Sequence, residues 1–321
     1  MTAVVARDLR RSFRTTQGRL RRTRSEVEAV RGVSFEIAPG ETFGLLGPNG
    51  AGKTTTIKML ITLLLPTSGS ASVLGMDVVA DVRAVRRRIG YVFGGDRGLY
   101  DRLSGLDNLR YFAELYGVEP REQQRRIGAL LELVGMTGRE HERVEGYSRG
   151  MRQRLHIARG LLHDPDVVFL DEPSIGIDPV GARELRATIA SLKEQGTTVL
   201  LTTHYMFEAD ELCDRIAVIR SGEIVAEGTP EQLKRGVASG RVLEVETYGV
   251  PAGVVETLGD LGPVHSVAVE ERGQLQVLVL QCDADSEVTQ DVLSRLGDVR
   301  VGRVSAREPT LEDAYVQLVT Q

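Results

Sequence analysis

The first residues that could do chemistry form a glycine-rich segment, GPNGAGKT, in the N-terminal part of the chain. It fits the pattern G-x-x-x-x-G-K-[ST] and lies between a predicted strand and a predicted helix, where successive backbone N–H groups can surround a phosphate. We expect Lys53 to reach the β- and γ-phosphates of a nucleotide, the Thr54 hydroxyl to bind Mg²⁺, and Thr55 to contact the α-phosphate. The segment consists of Gly47, Pro48, Asn49, Gly50, Ala51, Gly52, Lys53 and Thr54.

A second group of candidate residues ends an apolar strand. The run Val167–Leu170 is followed directly by Asp171 and Glu172. A strand that is buried on both faces delivers the acids at its carboxyl end to the sheet edge where ligands bind. With a phosphate-binding loop at the same edge, we expect Asp171 to hold Mg²⁺ through water and Glu172 to polarise an attacking water molecule.

A serine and a glycine, Ser148 and Gly150, stand at the start of a helical run that continues to Leu162. Serine is a common N-cap, where its hydroxyl satisfies a free backbone N–H group. The same helix start is also a favourable position for an anion. The residues alone leave both interpretations open.

Strands and helices alternate around these motifs, which predicts an α/β fold with a parallel sheet and crossover helices. The helical stretch at about 97–162 indicates a subdomain inserted into this core. Near the N-terminus, the strands Val4–Phe13 and Ala29–Ile37 flank the basic stretch Arg14–Arg24. This stretch is predicted to be a long hairpin loop, either solvated or in contact with phosphate groups of lipid or nucleic acid. The helix after the glycine-rich segment is predicted over Thr55–Leu65.

The last part of the chain has a different pattern, in which strands and helices follow the order βαββαβ with one more helix at the end. This order predicts a small α+β domain of ferredoxin-like topology. The polar stretch Glu231–Gly240 is read as a linker, so the predicted domains are 1–235 and 241–321. Residues 242–321 contain no catalytic cluster, and their role is either dimer support and regulation or ligand sensing.

Composition restricts the classes of protein that fit. The chain has 321 residues, of which 41% are hydrophobic and 26% charged, as is typical of globular proteins. Its net charge of −5 argues against a nucleic-acid partner. Cys213 and Cys282 are too few for a disulfide framework or a metal cluster. No apolar run approaches the roughly 18–20 residues that span a bilayer, so any membrane role is expected to be peripheral.

Together these motifs resemble the nucleotide-binding subunits of ABC transporters over about residues 4–235. Ser148–Leu155 is similar to the signature of that family, with Arg149 where the family has glycine and Met151 where it has glutamine. Ser174–Pro179, which includes Asp178, resembles its D-loop. His204 is at the position of the family's switch histidine, and Phe13 is at the position of the aromatic residue that stacks on adenine in the family. A core position for Phe13 is the alternative.

The resemblance implies a P-loop NTPase cassette with a mixed sheet and an inserted helical subdomain. Such a cassette binds ATP and Mg²⁺ and forms a head-to-tail dimer, either of like chains or of a pseudo-symmetric pair. ATP would lie between the subunits, with Lys53 and Glu172 of one facing Ser148 and Gly150 of the other. His204 would touch the γ-phosphate and the attacking water. Closure of the interface between the subunits would then depend on bound ATP, and hydrolysis of the ATP would allow the interface to open.

One segment departs from the family pattern. After the strand that ends at Val92, the family places a glutamine that contacts Mg²⁺ and acts as a hinge towards the membrane partner. This chain instead has Phe93, Gly94, Gly95, Asp96 and Arg97. Two readings remain open, namely that Asp96 reaches the metal or that the hinge is more flexible.

The ending Glu308–Tyr315 resembles the C-terminal extension of drug-resistance exporter ATPases of the daunorubicin type. We therefore expect an ATPase subunit that energises a separate integral membrane permease, most simply an ABC-2 type exporter of a drug, lipid or polysaccharide. Its expected location is the cytoplasmic face of a bacterial cell membrane. The alternative is a weakly hydrolysing, ATP-dependent regulatory clamp, which the missing glutamine motivates.

Overall fold

The computed structural model describes residues 2–17, 23–94, 98–237, 240–283 and 288–320. The chain divides into two compact units, Met1–Thr229 and Pro230–Gln321. Each unit has its own hydrophobic core. The first unit contains the glycine-rich segment and the apolar strand that leads into Asp171 and Glu172.

A six-stranded sheet organises the first unit, with strand order β10-β9-β3-β8-β7-β6. Its strands are β3 (Thr42–Leu46), β6 (Ile89–Phe93), β7 (Val167–Asp171), β8 (Thr198–Thr203), β9 (Arg215–Arg220) and β10 (Glu223–Gly228). All neighbours are parallel except β10, which pairs antiparallel with β9. Every residue of β3, β7 and β8 is buried, as expected for central strands covered on both faces. The predicted mixed sheet is confirmed.

A second, antiparallel sheet has the order β2-β1-β4-β5. Its strands are β1 (Val4–Gln17), β2 (Thr23–Ile37), β4 (Ser68–Val73) and β5 (Met76–Asp77). The prediction of a hairpin loop over Arg14–Arg24 is wrong for most of that stretch, because the β1–β2 ladder continues to the pair Gln17 and Thr23. Backbone pairing does not require apolar side chains, so the polar composition concealed these strand ends. Residues 18–22 lie outside the described residues.

In the described part of the first unit, seven α-helices flank the sheets. They are α1 (Lys53–Leu60), α2 (Val82–Arg88), α3 (Gly105–Leu115), α4 (Pro120–Leu133), α5 (Arg149–Gly160), α6 (Pro179–Glu194) and α7 (Met206–Leu212). Helices α3 to α5 form the predicted helical insertion. Helix α1 ends earlier than Leu65 because Thr62 has a φ of 67°, a left-handed conformation that stops the helix.

The second unit contains a four-stranded antiparallel sheet in the order β12-β13-β11-β14. Its elements are α8 (Pro230–Val237), β11 (Gly240–Thr247), α9 (Ala252–Gly259), β12 (Val264–Arg272), β13 (Leu275–Asp283), α10 (Thr289–Leu296), β14 (Val301–Arg307) and α11 (Leu311–Thr320). The βαββαβ order and this strand order are those of a ferredoxin-like domain. The stretch predicted as a polar linker instead forms α8, which packs against α11 within this unit.

No α-helix within the described ranges is long and apolar enough to cross a membrane.

Candidate functional site

The glycine-rich segment connects the buried strand β3 to helix α1, and its backbone approaches other strands too closely for larger side chains. A side-chain carbon on Gly47 would lie 2.3 Å from the carbonyl oxygen of Ile219. One on Gly52 would lie 2.6 Å from the carbonyl oxygen of Ala29, and Gly52 has a φ of 108°. Glycine is therefore required at both ends of the loop. Between them Pro48, Asn49 and Gly50 are exposed, so this part of the loop is accessible to a ligand.

Lys53 begins α1 and is 4% exposed. Its Nζ donates hydrogen bonds to the carbonyl oxygens of Gly47, at 2.7 Å, and Pro48, at 3.1 Å. The same Nζ lies 3.1 Å from Oε1 of Glu172. The lysine is thus held across the mouth of the loop, with its charge directed at the acidic end of β7.

Asp171 and Thr54 are adjacent, as the sequence predicted. The Thr54 hydroxyl donates to Oδ1 of Asp171 at 3.1 Å. The Thr202 hydroxyl of β8 donates to the same oxygen at 2.6 Å, and it accepts a 3.0 Å hydrogen bond from the backbone N–H of Glu172. Sequence reasoning missed Thr202, although a hydroxyl near the carboxyl end of a neighbouring apolar strand is a usable signal.

Glu172 and His204 are brought together at the carboxyl ends of β7 and β8. Glu172 has a φ of 49°, and its backbone N–H is held by both the carbonyl and the hydroxyl oxygens of Thr202. This turn directs the side chain towards the loop, where Oε2 lies 3.5 Å from Nδ1 of His204. Glu172 therefore contacts Lys53 through one carboxylate oxygen and His204 through the other.

The residues of the signature and D-loop segments lie together, but apart from this cluster. Ser148 is the N-cap of α5 and accepts a hydrogen bond from the backbone N–H of Met151 at 3.2 Å. A side-chain carbon on Gly150 would lie 3.3 Å from Cα of Gly181, in the first turn of α6. Asp178 is the N-cap of α6, where the backbone N–H groups of Gly181 and Val180 lower its pKa.

No hydrogen bond or ion pair among the described residues joins Ser148 or Gly150 to Lys53 or Glu172. Asp178 likewise bonds to its own helix. A single chain therefore presents two separate groups of candidate residues. Their roles towards a nucleotide remain predictions.

Phe13 lies on β1 opposite Val27, and it is only partly buried, so it does not belong to the core. The guanidinium of Arg11 lies 4.7 Å from the centre of its ring. Thr55 is in the first turn of α1 and is partly buried. Asp96 lies outside the described residues, and its proposed contact with the metal remains a prediction.

The fold and this cluster define a P-loop nucleotide-binding protein. Residues 30–175 match the family model described as ABC transporter. Residues 228–319 match the model described as ATP-binding protein DrrA1-3-like, C-terminal domain. The chain belongs to the ATP-binding cassette ATPases of ABC transporters, in the group with a DrrA-like C-terminal domain.

Relatives support this assignment over nearly the whole chain. The chain is 39% identical to the daunorubicin resistance ATP-binding protein DrrA3 of Streptomyces coeruleorubidus, over 91% of this chain and 92% of the relative. It is 33% identical to the linearmycin resistance ATP-binding protein LnrL of Bacillus subtilis, over 90% and 93% respectively. A solved structure described as the ATP binding subunit of an ABC transporter superposes with a TM-score of 0.61 at 29% identity, covering 73% of this chain and 93% of that one.

Proposed function

We propose that this chain binds and hydrolyses ATP to energise a separate membrane permease, which exports a drug or a chemically similar lipophilic compound. The observation that carries the proposal is the contact of Glu172 with both Lys53 and His204, beside the pair Asp171 and Thr54. Phosphoryl transfer to water requires a loop that binds the phosphates, a pair of residues that bind the metal, and a base that a second residue orients.

The glycine-rich loop would bind the triphosphate of ATP. Its exposed backbone and the start of α1 place N–H groups and the positive end of a helix towards a triphosphate. Within the first turn of α1 there is no acidic side chain to oppose an anion. Lys53 is already directed to this point by Gly47 and Glu172, so a γ-phosphate would compete with the carboxylate for the ammonium group.

Magnesium fits the residues that would hold it. Asp171 is 7% exposed, and its Oδ1 lies next to the Thr54 hydroxyl oxygen, so a carboxylate and a hydroxyl meet at one point. Oxygen ligands of this kind are those that Mg²⁺ prefers. When bound, the ion would neutralise charge on the phosphates and orient them. Thr202 holds Asp171 in place through its hydroxyl.

Glu172 is the residue we assign as general base. Its carboxylate is held between Lys53 and His204, and the surrounding Thr202 contacts fix its backbone. A water molecule in line with the γ-phosphate would give its proton to this carboxylate. His204 would then position the water and the phosphate group, because its ring adjoins the same carboxylate.

A second subunit would complete the site. Within the part of the chain that the structure describes, no hydrogen bond or ion pair joins Ser148 or Gly150 to the Lys53 cluster, which is the arrangement expected if they act on a nucleotide held by a partner. In the head-to-tail dimer, the start of α5 would then present a serine hydroxyl and free N–H groups to the γ-phosphate. Homodimer and pseudo-symmetric heterodimer satisfy this geometry equally.

An exposed aromatic surface of the helical subdomain is the docking site that we propose for the permease. Tyr100, Tyr111, Leu115 and Tyr116 are each at least 41% exposed. Tyr100 and Tyr111 are stacked edge to face with ring centres 5.0 Å apart, so the surface is ordered. Contiguous exposed apolar groups of this kind mark protein–protein contacts.

The drug cargo is inferred from the names of the two resistance proteins given above.

Affinity purification of the tagged chain from its native membranes in mild detergent tests the proposal. We expect a protein with several membrane spans to be recovered in a stoichiometric amount. Tyr111→Glu should abolish its recovery, whereas the matched change Tyr248→Glu, at a 49% exposed residue of the second unit, should not. Recovery of the wild-type chain only from the soluble fraction would instead favour the regulatory clamp.

A further inference from the structure

Arg159 is a buried arginine near the end of α5, and the motifs assign it no role. It is 7% exposed. Its guanidinium lies over two aromatic rings, 5.1 Å from the centre of Phe112 in α3 and 6.0 Å from that of Phe93 at the end of β6. Its Nη1 donates a 2.6 Å hydrogen bond to the carbonyl oxygen of Gly98. One side chain therefore contacts three parts of the chain.

Burial of this charge carries an energetic penalty. Among the described residues no carboxylate pairs with Arg159, its Nε has no hydrogen-bond partner, and burial lowers its pKa. Taking a charge out of water costs folding free energy. The adjacent His156 is buried as well, and its pKa is lowered to about 3 by burial and by the charges of Arg159 and Arg152. The feature that distinguishes Arg159 is therefore the set of elements that its contacts connect.

The segment that Arg159 contacts is fixed to the catalytic acids. Directly after Phe93, the backbone N–H of Gly94 donates to the carbonyl oxygen of Asp171 at 2.7 Å. A side-chain carbon on Gly94 would lie 2.3 Å from the carbonyl oxygen of Glu172, so the two backbones touch. The backbone that follows Phe93 is therefore bonded to that of Asp171 and packed against that of Glu172.

The opposite end of α5 carries the signature residues. Ser148 caps the helix and Gly150 lies in its first turn, whereas Arg159 is in its last turn. A helix of this length is stiff, so a fixed point at one end sets the position of the other. We propose that Arg159 is a positioning residue, which holds the signature helix in register with Asp171 and Glu172 through its contacts with Phe93 and Gly98.

This inference rests on the proposed ATP hydrolysis, and it concerns how the two groups of candidate residues are kept in a fixed relation. In the dimer, the acids of one subunit act on its own nucleotide while its signature acts on the other nucleotide. Arg159 therefore links the two nucleotide sites through one subunit. Its removal should impair catalysis without affecting the loop that binds ATP.

The test compares Arg159→Met with Arg215→Met in the full chain. Arg215 is a matched control, because its guanidinium also lies over an aromatic ring, 5.4 Å from the centre of Phe43, and its Nη1 also donates to a backbone carbonyl, that of Glu36, at 3.2 Å. It has an ion pair with Glu41 at 2.9 Å and lies at the amino end of β9, opposite the sheet edge that carries the glycine-rich segment. Arg159→Met should lower kcat about 10- to 100-fold. Its Kd for ATP should stay within about twofold, equivalent to about 0.4 kcal/mol, and its Tm should not fall.

Arg215→Met should lower Tm and leave kcat within about twofold of the wild-type value. Arg159→Lys, which keeps a donor for Gly98, should have a kcat between those of the wild type and Arg159→Met. The inference fails if Arg159→Met retains wild-type kcat, if it loses ATP binding and thermal stability along with kcat, or if the lysine variant is no better than the methionine variant. A wild-type chain without Mg²⁺-dependent hydrolysis would instead overturn the proposed function.

Discussion

The Nζ of Lys53 lies 3.1 Å from Oε1 of Glu172, so the lysine of the phosphate-binding loop and the acid that follows β7 form a buried ion pair. The two residues are far apart in sequence and meet because β3 and β7 both pair with β8 and end at the same edge. The pair places the charge that we propose to bind phosphate next to the carboxylate that we propose to activate water. Binding and hydrolysis are therefore expected to depend on different members of the pair.

Lys53→Met should weaken ATP binding about 10- to 100-fold, because hydrogen bonds to a charged group contribute about 1.5–3 kcal/mol. Isothermal titration calorimetry of ATP measures the change directly. The matched control is Lys58→Met on the exposed face of the same helix, which should bind like the wild type. Equal affinities of the Lys53 and Lys58 variants would contradict the assignment of the loop.

Glu172→Gln should bind ATP but hydrolyse it at least about 100-fold more slowly, because the amide cannot accept the proton of the attacking water. An ATP-bound dimer should accumulate, since hydrolysis no longer releases it. Phosphate release and size-exclusion chromatography with light scattering provide the two measurements. Glu194→Gln, at an exposed acid near the end of α6, serves as the control. A variant at Glu172 that retains wild-type turnover would exclude this residue as the base.

Thr202→Val should lower the rate of Mg²⁺-dependent hydrolysis about tenfold or more, because it removes the hydroxyl that bonds both Oδ1 of Asp171 and the backbone N–H of Glu172. Loss of these buried hydrogen bonds should also cost about 1–3 kcal/mol of stability. Thr198→Val on the same strand is the matched control, since the Thr198 hydroxyl accepts from the backbone of Gly40, away from the site. It should lose similar stability in urea unfolding and keep its rate; equal rates for both variants would contradict the role of Thr202.

Stability should fall as the pH is lowered, in part because of His156. Burial, Arg159 and Arg152 lower its pKa from 6.5 to about 3, so the folded protein keeps it neutral while the unfolded chain takes up a proton below pH 6.5. Stabilisation is complete above that pH and is lost progressively below it, by about 2 kcal/mol at pH 5.

Urea unfolding at pH 7.5 and pH 5 measures this difference. His156→Leu should reduce the loss of stability between the two values, whereas His141→Gln, at a side chain that is 78% exposed, should leave it unchanged. An unaltered pH dependence in the His156 variant would show that this histidine is not held neutral by its surroundings.

The proximity of several candidate site residues could be predicted, because they occupy fixed places in an α/β sheet. Lys53 follows a glycine pattern, while Glu172 and His204 each follow an apolar strand. Parallel strands bring such residues to one edge whatever their separation in sequence. Thr202 was not predicted, because a threonine within an apolar strand is indistinguishable from a packing residue until its neighbour across the sheet is known.

Features whose structure depends on partners distant in the sequence were not predicted. Helix α8 is polar along most of its length, and only its contact with α11 shows which face is buried. The ends of β1 and β2 consist of polar residues, and their pairing with each other is what makes them strands. Arg159 looked like an ordinary basic residue of a helix, because its burial arises from Phe93 and Phe112 in other elements.

We expect the Glu172 cluster to hydrolyse ATP while the chain is bound to a membrane partner. The decisive measurement is phosphate release by the complex purified from native membranes, with Mg²⁺ and with EDTA. Hydrolysis should require Mg²⁺, and Glu172→Gln should reduce it at least about 100-fold. Phosphate release at the same rate in wild type and Glu172→Gln, or none that requires Mg²⁺, would contradict it.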